Sequence, residues 1–188
     1  MKFILNTSVR PHFCALFDDQ DKLIDIQKWE EHRRDSEETF SFLKKNKADS
    51  LPISFVGGVS GPGGFSSLRV GAGILNALSF SKNIPIHSVR SDIWIRKFVG
   101  SDHFVLESFG EKVFVPENGK LTLTTIANAV EKFRDQPLFV KILPEDRQKQ
   151  FPKIMELSLE GMEKVLLSVL QQQDPQNIFL PEYLFPAI

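Results

Sequence analysis

Ile53-Ser54-Phe55-Val56-Gly57-Gly58-Val59-Ser60-Gly61-Pro62-Gly63-Gly64-Phe65-Ser66-Ser67-Leu68-Arg69-Val70-Gly71-Ala72-Gly73 is the stretch on which the fold turns. Ile53 to Val56 reads as a short buried strand running into a glycine-rich loop. A helix is expected from about Ser66, its N-cap, to Lys82. Strand, glycine loop and helix N-terminus together present backbone N–H groups and the positive end of a helix dipole to an anion. Gly61, Gly63 and Gly64 are therefore a candidate vestigial phosphate loop, with Arg69 as its cation. The loop is not a Walker A, because no Gly-Lys-Ser/Thr closes it, and it lacks the Gly-x-Gly-x-x-Gly dinucleotide spacing. Glycine enrichment is equally the mark of a tight turn. Gly71 and Gly73 each cost about 1 kcal/mol relative to alanine inside a helix, so something offsets them. One reading is close packing on the chain's own sheet; the other is a helix face that docks a second chain. Spacing does not choose between them.

Working outward toward the N-terminus, Lys2 to Leu5, Phe13 to Asp18 and Leu23 to Trp29 read as three short antiparallel strands, with a turn at Asp18–Asp21. Arg33 to Asn46 is helical, with Phe40 and Leu43 in its apolar stripe. Toward the C-terminus, Ile84 to Val89 is the next strand and Asp92 to Phe98 a short helix. Phe104–Glu107 and Lys112–Val115 form a hairpin around Gly110. Thr122 or Thr124 caps a helix reaching Arg134, and Leu138 to Leu143 is a strand stopped by Pro144. Ile154 to Gln173 carries Leu157, Gly161, Val165, Leu166 and Val169 at helical spacing. Ile178 to Leu184 is extended, and the Pro181–Pro186 segment is expected to lie against the body of the protein. The order β-β-β-α-β-α-β followed by a mixed segment fits an α/β fold, an RNase-H-like mixed sheet with flanking helices plus a smaller second lobe. The expected division is an N-terminal lobe over 1–100 and a shortened second lobe over 101–188.

Composition narrows the function. Net charge is −1 and no block of five like charges occurs, so the clustered basic surface that autonomous nucleic-acid binding needs is not advertised. Seventeen Phe against one Tyr favours core filling, since a buried Phe has no hydroxyl to satisfy. The single cysteine, Cys14, excludes an intramolecular disulfide and multi-cysteine zinc sites, and its apolar neighbours suggest a buried thiol. Asn6, Arg10 and His12 interrupt any signal-peptide core, and no apolar run reaches the roughly 18–20 residues of a membrane span. A cytoplasmic protein with no membrane contact is expected. His12, His32, His87 and His103 form no His-x-x-x-His or His-Glu-x-x-His pair, which argues against a metal hydrolase and predicts surface or hydrogen-bonded histidines. The Gly-x-Ser-x-Gly elbow of a nucleophilic hydrolase is absent. Trp29 and Trp94 read as packing residues rather than base-stacking platforms.

The run Ser60-Gly61-Pro62-Gly63-Gly64-Phe65-Ser66-Ser67-Leu68-Arg69-Val70-Gly71 resembles the Gly-Pro-Gly-Ser-Phe-Thr-Gly-Leu-Arg-Ile-Gly hallmark of the bacterial TsaB family, a subunit of tRNA threonylcarbamoyladenosine biosynthesis. Leu75 to Phe80 and Asn83 to Val89 keep that family's order. Ile4-Leu5-Asn6-Thr7-Ser8 is similar to its Ile-Leu-x-Asp-Thr-Ser with the acid changed. Leu106 to Phe114 resembles its Asp-Ala-Arg-x-Gly-Glu-Val-Tyr hairpin, and Leu180-Pro181-Glu182-Tyr183-Leu184 its Pro-x-Tyr-Leu close. The likeness is strongest over residues 53 to 90 and collinear elsewhere.

The resemblance implies an actin-like ATPase fold in a non-catalytic scaffold or activating subunit. That subunit would heterodimerise with a TsaD-like paralogue, which binds nucleotide and metal and modifies the tRNA adenosine beside the anticodon. A TsaE-like ATPase would complete the assembly, and tRNA would be met through the complex. No cofactor is expected to be bound stably by this chain alone; ATP and metal are implied for the partner subunits. Family pairing implies an interface on the helices Arg33–Asn46 and Ser66–Lys82, at Phe40, Leu43, Phe65, Leu68, Arg69, Gly71, Ala72 and Leu75. Self-association through the same helices is expected when the partner is missing. Three departures weigh against independent ATP hydrolysis: Asn6 in place of an acid that would help hold a metal–nucleotide complex, Ser67 in place of glycine, and a short second lobe. The alternative is a small ATP-dependent enzyme of the same superfamily, with no catalytic or metal residue yet assigned.

Overall fold

A computed structural model describes residues 1–30 and 32–183. Leu184 and Pro186 of the expected terminal segment lie outside the described residues, as does the side chain of His32. The strands are β1 (Lys2–Asn6), β2 (His12–Phe17), β3 (Leu23–Trp29), β4 (Phe55–Gly61), β5 (Ile86–Arg90), β6 (Leu106–Glu107), β7 (Lys112–Glu117) and β8 (Lys120–Thr125). The helices are α1 (Asp35–Lys45), α2 (Phe65–Lys82), α3 (Ser91–Val99), α4 (Ile126–Lys132), α5 (Glu145–Gln148) and α6 (Met162–Leu170), with a 3-10 turn over His32–Arg34 before α1.

The first five strands form one sheet in the order β3-β2-β1-β4-β5. β1 pairs antiparallel with β2 and parallel with β4, and β4 pairs parallel with β5 through the crossover helix α2. This is the mixed, helix-flanked sheet of the actin-like, RNase-H-like fold. Side chains alternate between its faces. Phe3, Leu5, Cys14 and Leu16 pack with Phe42 of α1 and Ala72 and Leu75 of α2. Ile4, Phe13, Ala15 and Phe17 pack on the other face with Trp94 of α3 and Leu166 and Leu170 of α6. β1 lies in the middle with helices on both sides, which is why its run Phe3-Ile4-Leu5 is continuously apolar. Phe104, Leu106, Phe114 and Phe139 from the later part of the chain join the same core as Ile4 and Trp94. A third cluster, including Val105, Val113, Val115 and Ile126, lies between α4 and the sheet β6-β7-β8.

Four local expectations are corrected. β4 does not stop at Val56 but continues through the glycines to Gly61. The expected cap at Thr122 or Thr124 falls instead on Thr125, whose hydroxyl accepts from the Asn128 amide at 3.1 Å. Residues 120–125 are a strand whose Leu121 and Leu123 alternate with threonines, reached through a turn at Asn118 (φ 51°) and Gly119 (φ 76°). Leu138 to Leu143 makes only isolated bridges, Leu138 to Ile154 and Phe139 to Phe104. The helix expected from Ile154 begins at Met162, because Gly161 takes a left-handed φ of 79° at its start. Upstream, Met155, Leu157 and Leu159 pack on the core at a period of two, as extended chain does.

Candidate partner interface

Four glycines of the decisive stretch are explained by close approach within the chain. A Cβ on Gly57 would lie 2.9 Å from Leu170 Cδ1, and one on Gly58 would lie 2.5 Å from Leu75 Cδ1 and 2.8 Å from the Leu5 carbonyl. They are strand glycines that let both helical layers close on β4. Gly61, at φ +123°, faces the carbonyl of Glu182, which an added Cβ would meet at 2.5 Å. On Gly63 a Cβ would stand 2.5 Å from Ser8 Oγ. The Ser8 and Ser91 hydroxyls are 2.6 Å apart and each lies 2.8 Å from the Pro62 carbonyl oxygen. This buried knot pins the turn after β1 to the turn after β4. Gly64, exposed and extended, is the N-cap of α2, so the N-cap expected at Ser66 moves two residues earlier.

Asn6 is wholly committed to structure. Its amide nitrogen donates to the carbonyls of Val9 at 2.6 Å and Pro11 at 3.0 Å, and its oxygen accepts from the amides of Ser8 and Val9, each at 3.1 Å. A carboxylate could serve the two amides but would face the two carbonyls without a proton to give. The change from acid to amide is therefore what this turn requires.

Ser67 has a similar role. It is buried, and its side chain hydrogen-bonds Asp35 at the start of α1. The Asp35 Oδ1 atom also lies 2.5 Å from His12 Nδ1 and accepts from Trp29 Nε1 at 2.8 Å. His12 and Asp35 are both fully buried. Burial pushes the Asp35 carboxyl up, but the hydrogen bond and charge of His12, with the bonds from Ser67 and Trp29, hold it below the usual carboxylate range. β2, β3, α1 and α2 thus meet on one carboxylate. His12 fits the hydrogen-bonded role expected of it, and Trp29 is partly a donor rather than packing alone. No motif in the sequence marked Asp35, although an acid in the first turn of a helix is a usual cap-region signal.

The expected interface residues divide by where their side chains point. Leu68, Gly71, Ala72 and Leu75 are buried on this chain's own sheet. A Cβ on Gly71 would lie 2.4 Å from Thr7 Oγ1, so the intramolecular reading of the helix glycines holds there. Gly73 is different: it is exposed, helical, and none of the described residues comes within 4 Å of a Cβ built on it. Arg69 and Ala77 share its exposed face at helical spacing, and Phe65 begins it. Phe40 on α1 is 60% exposed, Phe65 49% and Phe80 91%, while Leu43 is half-buried. The Arg69 guanidinium lies 5.4 Å from the centre of the Phe65 ring. Phe40, Phe65, Arg69, Gly73, Ala77 and Phe80 are exposed on these two helices.

Among the described residues no group of three His, Cys, Asp or Glu side chains could hold a metal ion, and no helix is long and apolar enough to cross a membrane. Cys14 is buried, and desolvation with the nearby Asp25 charge pushes its thiol up, which makes it inert as a nucleophile.

Solved structures are similar over nearly the whole chain, two of them as follows. One is YeaZ from Pseudomonas aeruginosa, with a TM-score of 0.60, 15% sequence identity, and coverage of 98% of this chain and 100% of that one. The other, described as an uncharacterized protein with similarity to peptidase YEAZ from Pseudomonas aeruginosa, has a TM-score of 0.57, 13% identity and the same coverage. At such identities the likeness establishes the fold. No protein-family model matches the chain, and no curated protein matches it.

Proposed function

We propose that this chain is a non-catalytic partner subunit, of the TsaB kind, in the complex that makes threonylcarbamoyladenosine in tRNA. It would act by pairing with a TsaD-like paralogue through the exposed faces of α1 and α2. The fold shared with YeaZ from Pseudomonas aeruginosa is compatible with this reading, and the motifs that resemble the TsaB family support it. The observation that carries it is Gly73. A helical glycine without a crowding neighbour costs about 1 kcal/mol, and among the described residues nothing within 4 Å of a Cβ built on Gly73 offsets it. A second backbone approaching that face would supply the reason.

The packing of the glycine stretch favours a partner subunit over the alternative of a small ATP-dependent enzyme. Gly63 backs onto Ser8, Gly61 onto Glu182, and Asn6 has no bonding capacity left for a metal–nucleotide complex. In this reading ATP and its metal belong to the partner subunits, and a TsaE-like ATPase and tRNA join through the complex. The chain would self-associate through the same helices when the paralogue is missing. Reconstitution tests the proposal: threonylcarbamoylation by the paralogue and the ATPase should depend on added chain. ATP hydrolysis at an ordinary catalytic rate by the purified chain alone would overturn it.

A further inference from the structure

The segment after α6 does not trail away; it is fastened at four places, two on the strands β4 and β5 and two on α2. The Gln176 and Ile86 amides and carbonyls exchange hydrogen bonds of 2.7 and 2.8 Å, which caps the start of the edge strand β5. Phe179 is buried, and the Asn76 side chain binds its backbone on both sides, donating to its carbonyl at 3.1 Å and accepting from its amide at 2.8 Å. The Glu182 amide donates to the Ser60 carbonyl at 2.7 Å. Its carboxylate accepts from Ser60 Oγ at 2.9 Å and from the Arg90 guanidinium at 3.2 Å, Arg90 also being held by Asp92. Finally, the Tyr183 ring lies 4.9 Å from that of Phe65, on the first residue of α2.

The lengths agree. From Asn76 to Phe65 a helix spans about 16 Å, and extended chain from their partners Phe179 to Tyr183 spans about 13 Å. Between Phe179 and Tyr183 the segment therefore runs antiparallel to the first part of α2. The two ends are held by different physics. Phe179 is anchored by burial, which salt does not weaken. Glu182 is held by its bonds with Ser60 and by an ion pair with Arg90 between partly exposed groups, and salt screens the ion pair. Gly61 is bare where the Glu182 carbonyl crosses it, so the backbone of β4 is shaped to receive this end.

We propose that residues 176–183 are a strap with one permanent and one releasable end, and that the Glu182 latch on Ser60 and Arg90 sets whether the first turn of α2 is fixed or loose. With the latch closed, the Tyr183 ring lies tilted at 41° against Phe65, and Arg69 sits over the Phe65 ring. With it open, the strap peels back to Phe179 and Phe65 loses its aromatic neighbour. The device belongs to this chain alone and stands or falls independently of any partner.

Amide exchange and nuclear Overhauser contacts of the full chain test it, helped by Tyr183 being the only tyrosine. Glu182→Gln keeps an acceptor for Ser60 but removes the charge. It should speed exchange of the residue 182 amide about fivefold, the upper range for a partly exposed ion pair. The Gln176, Ile86 and Phe179 amides should keep their protection, and Tyr183–Phe65 ring contacts should weaken. Raising salt to about 1 M, where screening acts within about 3 Å, should reproduce this in the wild type and add little in the variant. Unchanged exchange at residue 182 would overturn the latch. So would equal salt sensitivity of the two proteins, or simultaneous loss of protection at Gln176 and Phe179.

Discussion

Replacing Gly71 and Gly73 one at a time by alanine pits two helical glycines, two residues apart, against each other. In an unstrained helix either change would stabilise by about 1 kcal/mol through propensity alone. At Gly73 nothing lies within 4 Å of the new methyl, so the gain should appear nearly in full. At Gly71 the methyl would stand 2.4 Å from Thr7 Oγ1, and Thr7 is itself buried, in the turn that Asn6 organises. Overpacking of this kind costs about 1–3 kcal/mol, which cancels or outweighs the propensity gain. Gly71→Ala should therefore be neutral to about 2 kcal/mol destabilised. The two variants should differ by about 1–3 kcal/mol. Urea unfolding followed by circular dichroism, with the slope m unchanged, measures this difference directly. Equal stabilisation of the two variants would refute the inward and outward assignment on which the interface rests.

Asn6→Asp should destabilise by about 2–3 kcal/mol near neutral pH, because a carboxylate would replace a donor to two buried carbonyls; urea melts should show the deficit shrinking at acid pH as the new carboxyl gains a proton. Asp35→Ala removes one partner of a buried pair and should cost about 3–5 kcal/mol in the same melts. Since the folded Asp35 pKa is depressed, its stabilisation is present above the unfolded value of about 4 and lost as pH falls below it; wild-type stability should therefore drop through that window more steeply than Asp35→Asn. Cys14 should resist a thiol reagent in the native protein and react on unfolding, as its raised pKa and burial require.

The sheet was legible because its signals are local and redundant. Phe3-Ile4-Leu5 reads as a strand buried on both faces, and α2 is long enough for its pattern to survive two glycines. The later part was harder to read because competing signals overlapped. Thr122 and Thr124 look like helix caps, yet Asn118-Gly119 is a strong two-residue hairpin signal and the strand won. Leu157 fits a helical spacing with Val165, but it also fits a period of two with Met155 and Leu159, and Gly161 decided for extended chain.

At the candidate site the difficulty was direction. Gly57, Gly58, Gly63 and Gly71 look like a loop and a contact face in sequence, and each instead meets a specific atom elsewhere in the fold. Those atoms belong to Leu170, Leu75, Ser8 and Thr7, and no local pattern identifies them. The Asp35 cluster and the strap on α2 were illegible for the same reason. His12 and Asp35 are 23 positions apart, and Asn76 and Phe179 are 103 apart.

Co-purification of the chain with its own organism's TsaD-like paralogue, wild type beside Gly73→Arg, tests the central claim most directly. Gly71 is unsuitable for this purpose, since arginine there would collide with Thr7 and disturb the fold itself. At Gly73 the long side chain enters open space and leaves the core untouched, which circular dichroism can verify. The account predicts a stable complex with the wild type and its loss in the folded variant. A folded Gly73→Arg protein that still binds the paralogue as the wild type does would contradict the proposed α2 face, and a wild type that binds no paralogue would contradict the partner-subunit reading.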